Sequence, residues 1–137
     1  MRKMFLIALL LAGCAQIPPT PQDIQAKKFE SLPDKAVIYI VRTPMDSRQA
    51  SGLMLDDVGP VGTLPRSYYR WEVVPGTHRI AEFAPFNGSV TVQAEAGKIY
   101  FVEYTVIGDG FPTPKFTTLQ RTDERNGREM VLLSELL

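Results

Sequence analysis

The side chains of this sequence that could do acid–base chemistry are few and lie apart along the chain. His78 is the one histidine, so it is the one side chain expected to titrate near neutral pH. A catalytic base also needs a nucleophile beside it and a carboxylate that orients the ring, and the residues around His78 do not supply both. We therefore expect His78, which lies just after the Pro75-Gly76 turn, to hydrogen-bond the backbone of that turn.

The sequence also contains few residues that could bind a metal ion or a cofactor. Asp56 and Asp57 offer carboxylate oxygens, but a calcium site needs about six to eight oxygen ligands and no acid-rich loop follows, so both are expected to be turn residues. One cysteine, Cys14, cannot form an intramolecular disulfide or a multi-thiolate zinc or iron–sulfur site. One histidine excludes an H-E-x-x-H zinc site, and no phosphate-binding loop motif occurs. We expect no metal and no dissociable cofactor.

The length of the chain indicates the number of domains, and its charge indicates which class of partner is not expected. The 137 residues fit a single domain, and fifteen basic side chains balance fifteen acidic ones. Nucleic-acid-binding proteins carry a basic excess, so a nucleic-acid partner is not expected.

The amino terminus has the pattern of a secretory signal. Arg2 and Lys3 precede an apolar run of residues 4–12, which ends on Gly13 and Cys14. The run has about 9 residues, whereas a transmembrane helix needs roughly 20, so the pattern favours a cleaved signal over a membrane span. An ordinary buried cysteine at the end of a core helix is the alternative.

The end of this segment, Leu11-Ala12-Gly13-Cys14, resembles the lipobox of bacterial lipoproteins. The resemblance implies a diacylglyceryl group on the Cys14 sulfur, cleavage before Cys14 and an N-acyl chain on the new amino terminus. Several acyl chains together hold a protein firmly to a bilayer. Ala15 follows the cysteine instead of the aspartate that is typical of inner-membrane retention, which implies the outer membrane of a bacterial cell envelope, on its periplasmic side.

Three segments follow from this pattern: a cleaved signal peptide over 1–13, a lipidated cysteine with a Pro-rich tether over 14–35, and a β domain over 36–137. The tether contains four prolines and few apolar residues, which favours an extended conformation. Two features leave an alternative open. Phe29 and Leu32 are apolar enough to dock on the domain, and residues 23–29 could form a short helix with Asp23 as its cap.

From residue 36 onward the pattern is typical of β-strands. Residues 36–42 are apolar at positions of both parities, which predicts a central strand covered on both faces. Strict alternation over 67–74 places Tyr69, Trp71 and Val73 on a core face. Further strands are predicted at 52–57, 78–83, 89–95 and 98–107. Short strands separated by Gly and Pro turns predict an all-β fold, a small antiparallel β-sandwich of about seven strands.

Two local features refine this prediction. Pro75-Gly76 is a turn signal, so strand 78–83 is expected to return beside strand 67–74 as a hairpin. The carboxyl-terminal segment 123–137 has two interpretations. It forms a short helix capped by Thr122 or Asp123, with an apolar stripe, or it turns at Gly127 into a last strand at 130–133. The stripe of the helix would consist of Met130, Leu133 and Leu137, and we favour the helix.

The order of five segments resembles a known family of bacterial lipoproteins. The segments are KAVIYIVR (35–42), VGTLP (61–65), YYRWEV (68–73), PGTH (75–78) and EAGKIYFV (95–102). This succession, which spans about residues 35–107, is similar to the lipoproteins classed as domain of unknown function 2846. The PGTH turn also resembles the PEGA-type surface modules, which are small β-sandwiches. The resemblance implies a lipid-anchored envelope protein without an established activity, and it supplies no catalytic residues.

The candidate binding residues lie in loops. If the strands from residue 67 to 107 run alternately up and down, loops 64–66, 84–88 and 108–114 gather at one end of the sandwich. These loops carry Leu64, Arg66, Phe86 and Phe111, and exposed aromatic side chains on a rigid scaffold are typical anchors for a partner. In the alternative, Phe86 and Phe111 fold back and close the open end of the core.

The sequence therefore predicts a noncatalytic envelope module. It would be held to the membrane through Cys14 and would bind another envelope protein or a polymer, through this loop end or by adding a strand at a sheet edge. A structural lipoprotein without a specific partner has the same sequence features. The competing hypothesis is a small periplasmic hydrolase or metal-dependent enzyme, which requires a concave site that joins His78 to two carboxylates.

Overall fold

The computed structural model describes residues 18–43, 48–56, 58–83 and 88–137. These residues form two helices and nine strands. In chain order the elements are α1 (Pro21–Ala26), β1 (Ala36–Arg42), β2 (Ser51–Leu55), β3 (Pro60–Thr63), β4 (Ser67–Val73), β5 (Gly76–Glu82), β6 (Ser89–Ala94), β7 (Ile99–Ile107), β8 (Phe116–Thr122), α2 (Glu124–Leu132) and β9 (Glu135–Leu136).

The strands form two sheets, with the order β8-β7-β1-β4-β9 in one and β3-β2-β5-β6 in the other. This confirms the predicted small all-β sandwich with a short carboxyl-terminal helix. Two pairs, β1 with β7 and β4 with β9, are parallel, and the other pairs are antiparallel. The strand segments predicted from the sequence did not include β3, β8 or β9. β3 contains Pro60 and Gly62, and most residues of β8 are polar, so neither has a clear strand pattern.

The main core lies between the two sheets, where the alternation predicted it. Val73 is buried there, and Tyr69 and Trp71 pack against the same cluster while half-buried. The long strand β7 contributes Val102, Tyr104 and Val106 from the same face. Period-two patterning therefore identified the inward face of both strands correctly.

A second core covers the opposite face of the five-stranded sheet. Val37, Tyr39, Val41, Tyr68 and Phe101 project from that face and pack against Ala26 of α1 and Val131 of α2. All seven residues of β1 are consequently buried, as expected for a strand covered on both faces.

The amino-terminal segment differs from the expected extended tether, because it packs on the domain from Pro21 onward. Helix α1 begins after Thr20, whose hydroxyl accepts a hydrogen bond from the Asp23 amide at 3.1 Å, so Thr20 and not Asp23 is the cap. The Tyr39 hydroxyl donates to the Ala26 carbonyl at 2.6 Å, and the Tyr68 hydroxyl donates to Asp23 Oδ1 at 2.7 Å. Two buried tyrosine hydroxyls require partners, and α1 supplies them.

Phe29 and Leu32 are half-buried against the second core, as the docking alternative expected. The Phe29 ring lies 5.4 Å from the Tyr39 ring and 6.0 Å from the Phe101 ring, measured between centroids. The packed domain therefore begins at α1 and not at residue 36.

The predicted hairpin of β4 and β5 is wrong. β4 pairs with β1 and β9, whereas β5 lies in the other sheet and pairs with β2 and β6. The Pro75-Gly76 turn carries the chain between the sheets, and Gly76 adopts a φ of 140° there. Alternation identifies which face of a strand is buried, but it does not identify the strand's hydrogen-bonded neighbour.

Helix α2 forms as favoured, but it buries a different stripe. Asp123 caps it by accepting from the Asn126 amide at 2.9 Å. The buried residues are Gly127 and Val131, Met130 is half-buried, and Leu133 and Leu137 are exposed, so the predicted stripe is wrong. The reason is close packing, because a Cβ on Gly127 would overlap the Phe101 ring. The helix approaches the sheet along the one position that has no side chain.

Substituting Gly127 tests this packing. Alanine in a helix interior normally stabilises by about 1 kcal/mol relative to glycine. We expect Gly127→Ala instead to lower the free energy of unfolding by about 1–3 kcal/mol, because the methyl group overpacks against Phe101. Urea unfolding of the variant beside Gly62→Ala, where the new Cβ has nothing within 4 Å, checks this. A more stable Gly127→Ala protein would contradict the packing of α2.

Candidate functional site

A buried polar cluster joins the strand ends at the end of the sandwich where the predicted binding loops begin. Arg42 Nη1 donates to the Thr63 carbonyl at 2.8 Å, and the Thr63 hydroxyl donates to the Ser51 carbonyl at 2.7 Å. Ser51 Oγ and the Tyr104 hydroxyl share a hydrogen bond of 2.7 Å, and Lys115 Nζ donates to Ser51 Oγ at 3.0 Å. Loops 64–66 and 108–114 leave from this cluster, so they lie at the same end.

The electrostatics of this cluster suit a structural role. Burial lowers the pKa of the Arg42 guanidinium, although its electrostatic interaction with the Tyr104 hydroxyl group opposes that effect. Burial raises the pKa of the Tyr104 hydroxyl, an effect that Glu82 reinforces and that Ser51 and Arg42 oppose. Arginine stays protonated in proteins, so at neutral pH the cluster holds a cationic Arg42 and a neutral Tyr104. The cluster holds in place the strand ends from which loops 64–66 and 108–114 begin.

Three apolar side chains are exposed where β7 and β8 meet the loop between them. Phe111, within the loop, is 89% exposed. Ile107 ends β7 and lies directly opposite Phe116, the first residue of β8, and both are exposed. We call Ile107, Phe111 and Phe116 the loop-end patch.

The structure places three of the predicted loop residues on the surface of this end. Leu64 and Arg66 are exposed in the loop before β4, where Arg66 adopts a φ of 58°. Phe111 points away from the core and does not close the open end of the sandwich. Phe86 and the lipobox residues lie outside the described residues; the lipobox residues are Leu11, Ala12, Gly13 and Cys14.

Sequence reasoning missed two members of the loop-end patch for different reasons. Ile107 lies on the same face of β7 as Glu103 and Thr105, which is the face away from the main core. The alternation of the sequence could therefore have identified Ile107 as an apolar residue that points outward. Phe116 had no such signal, because β8 was not predicted as a strand. The patch depends on the pairing of β7 with β8, which brings two residues nine positions apart into direct register.

His78 lies at the opposite end of the sandwich and is fully engaged there. Its Nδ1 is 2.6 Å from Asp56 Oδ2, and its Nε2 is 2.6 Å from the Val74 carbonyl oxygen. Asp56 Oδ1 also accepts from the Arg79 amide at 2.7 Å. Both partners of the ring are acceptors, so both ring nitrogens donate and the imidazolium form fits the site. The turn contact to Val74 was expected, whereas Asp56, 22 residues away in sequence, was not.

The environment of His78 acts on its pKa in two directions. Burial disfavours the charged ring, but the hydrogen bonds to Asp56 and Val74 and the Asp56 charge outweigh burial and raise the pKa above its usual value. A ring with both nitrogens committed has no lone pair with which to take a proton from a substrate. The hydrogen bond between Asp56 and His78 therefore holds the β2–β3 turn against β5.

A groove of about 610 Å³ lies along the outer edge of β4, and α1 and β9 contribute to its walls. β9 pairs only with Ser67 and Tyr68 of β4, through bonds such as Leu137 N to the Tyr68 carbonyl at 3.0 Å. Backbone groups alternate in direction along a strand, so the N–H and C=O groups of Arg70 and Glu72 face outward as those of Tyr68 do. This stretch of the β4 edge has no strand beside it among the described residues.

No group of three or more His, Cys, Asp or Glu side chains in the described part of the chain is arranged to hold a metal ion. None of the helices in the described ranges has the length and apolar character needed to cross a membrane.

Comparisons of the chain with protein-family models, with curated proteins and with solved structures find no match. The interpretation of the loop end therefore depends on its own contacts, exposure and charge.

The pKa of His78 predicts how stability depends on pH. The pKa is raised in the folded state, so the stabilisation by the charged ring is fully present below the unfolded pKa of about 6.5 and is lost as pH rises through the folded value. We expect His78→Gln to lower the free energy of unfolding by about 1–3 kcal/mol near pH 6, and by less as pH rises toward 9. Urea unfolding across this range measures the difference.

Thr77→Ala is the matched control, because Thr77 is the exposed neighbour of His78 and its hydroxyl bonds only the exposed Gln93 side chain. Its effect should not change with pH. A constant difference between His78→Gln and the unmodified protein from pH 6 to 9 would show that folding does not raise the pKa of His78.

Proposed function

We propose that this protein is a noncatalytic binding module of the bacterial cell envelope, anchored by lipid at Cys14 to the outer membrane on its periplasmic side. Its loop end binds another envelope protein or an envelope polymer. The observation that carries this proposal is the exposure of Phe111 between Ile107 and Phe116, on a loop whose roots are fixed by buried hydrogen bonds.

Three properties of the loop end support binding. Aromatic side chains are preferred anchors at protein interfaces, because they contribute large contact area at low cost in conformational entropy. The polar cluster of Arg42, Ser51 and Tyr104 holds the adjoining strands in place, so the loop starts from a rigid base. Arg66 adds an exposed cation at the same end, which suits carboxylate or phosphate groups of a partner.

The enzymatic alternative receives less support from the described residues. It required a concave site that joins His78 to two carboxylates. His78 is instead joined to one carboxylate, that of Asp56, and its second nitrogen is bonded to the Val74 carbonyl. Both ring nitrogens are therefore already hydrogen-bonded within the protein, and neither is available to a substrate.

The free edge of β4 supports a second route to the same function. An extended peptide can add a strand where backbone groups of a sheet are unpaired, and Arg70 and Glu72 present such groups to a groove. β9 already occupies the first part of this edge in parallel orientation. The edge is therefore able to accept an extended segment beyond Tyr68.

Substitution of Phe111 tests the loop end. We expect crosslinking in intact cells to link the full-length protein to one envelope component, and Phe111→Ala to reduce this product about tenfold. Because Phe111 is exposed, its truncation should change the free energy of unfolding by no more than about 0.5 kcal/mol. Affinity purification followed by mass spectrometry identifies the product.

Val58→Ala is the matched control. Val58 is also apolar and exposed, at 86%, but it lies in the β2–β3 turn at the opposite end of the sandwich. It should leave the crosslinked product unchanged. The loop-end proposal fails if both variants behave alike, or if Phe111→Ala destabilises the fold by several kcal/mol.

The anchor has a separate test. Cys14→Ser removes the sulfur to which the diacylglyceryl group would attach, so we expect loss of the lipid mass and of membrane fractionation. The folded domain begins at α1, so the free energy of unfolding should stay within about 0.5 kcal/mol of the unmodified domain. Intact-mass measurement and urea unfolding provide the two readouts. A chain of unmodified mass with Cys14 in place would contradict lipid anchoring.

A further inference from the structure

Two neighbouring leucines are exposed at the carboxyl end of α2. Leu132 is 56% exposed and Leu133 is 80% exposed. They line a cavity of about 360 Å³ together with Pro18, Pro19 and Thr20, the residues with which the described chain begins. The exposed leucines therefore lie beside the point where the chain from Cys14 enters the fold.

Asp23 connects these two parts of the molecule. Its side chain is buried, accepts hydrogen bonds from Tyr68 and from the Leu136 amide at 3.1 Å, and forms an ion pair of 2.8 Å with Lys27. Lys27 Nζ also donates to the Ser134 carbonyl at 2.7 Å. The start of α1 and the segment after α2 are thus fixed to each other, and the leucines keep a constant position relative to Pro18.

The chain between Cys14 and Pro18 is short. Four residues of fully extended chain span at most about 14 Å. A lipid on Cys14 would place this residue at the bilayer surface, so Pro18 would lie within about 14 Å of it. Leu132 and Leu133 line the same cavity as Pro18. A tether of 22 residues, as the sequence suggested, would have left the orientation of the domain free.

The charges on this face do not favour attraction to anionic lipid. Arg125 and Glu129, two turns and one turn before the leucines on α2, form an ion pair of 3.5 Å, and Lys27 is paired with Asp23. Glu135 adds an exposed carboxylate, and Arg66, whose carbonyl accepts from the Glu135 amide at 2.9 Å, adds an exposed cation beside it. With no basic excess, contact with a bilayer must come from the apolar side chains.

We infer that Leu132 and Leu133 dock into the membrane surface beside the lipidated Cys14, and that this contact sets the orientation of the domain on the bilayer. The inference rests on the proposed lipid anchor. The site is an apolar contact with the boundary between headgroups and acyl chains, which accepts leucine side chains on a short, anchored helix end.

The leucines and the loop-end patch lie near opposite edges of the five-stranded sheet. β9 lies at the edge of the five-stranded sheet near the leucines, and β8 lies at the opposite edge with three strands between them. Strands in a sheet are about 4.8 Å apart, so β8 lies about 19 Å from β9. Phe116 therefore lies across the width of the sheet from the leucines but at the same end of the sandwich, because the Glu135 amide of β9 donates to the Arg66 carbonyl in the loop before β4 at 2.9 Å.

A single dye reports on the contact. Cys14 is the only cysteine and would carry the lipid, so Leu133→Cys introduces the one thiol available for an environment-sensitive fluorophore. The control is Thr118→Cys, an exposed position on β8 at the far edge of the same sheet. The full chain is purified after lipidation in a bacterial host and reconstituted in phosphatidylcholine vesicles, with or without bromine atoms on the acyl chains.

We expect brominated lipid to quench the dye at position 133 several-fold more than the dye at position 118. Adding Leu132→Ser to the Leu133→Cys chain should reduce that quenching, because it removes the leucine contact that remains. Equal quenching at the two positions in a chain of lipidated mass overturns the docking but leaves the anchor intact. An unmodified mass at Cys14 overturns the proposed anchor and the docking with it.

Discussion

Both faces of strand β1 are buried, and the arrangement of the other elements depends on that constraint. All seven residues of Ala36–Arg42 are buried, which requires a cover on each face of the sheet in which β1 is central. The four-stranded sheet covers one face. Helices α1 and α2 cover the other, so segments from both ends of the described chain are fixed in place by the same strand.

The surfaces proposed for binding depend on how the two ends of this sandwich are closed. At one end, the hydrogen bonds from Arg42 through Thr63 and Ser51 to Tyr104 satisfy polar groups that would be costly to bury alone, and the loops above them are free to present apolar side chains. At the other end, Asp56 and His78 hold a turn against β5. Rigid ends and exposed loops are the arrangement expected of a binding module.

The sequence predicted the fold class, the inward faces of β4 and β7 and the existence of α2, because these depend on local periodicity. It did not predict which strands pair, because the alternation of β4 would look the same whether its neighbour were β5 or β9.

The sequence also placed the wrong stripe of α2 inward. Hydrophobicity favoured Leu133, but the helix packs on Phe101 through Gly127, and the absence of a side chain is a weak signal in a pattern of apolar residues. The sequence placed Leu64, Arg66 and Phe111 in loops at one end of the sandwich, where they are exposed, whereas the position of Phe116 required the register of β8.

The buried carboxylate of Asp23 also has a mechanical consequence. A pulling force applied at Cys14 enters the fold at Thr20 and reaches Asp23 within three residues. There it is divided between the Tyr68 hydroxyl on β4, the Leu136 amide on β9 and the Lys27 ammonium. These bonds connect the start of the domain to the interior of its larger sheet, so they must break together before α1 can peel away. Tension between an anchored lipid and a bound partner would thus be carried through the core of the sandwich instead of unravelling its amino-terminal helix.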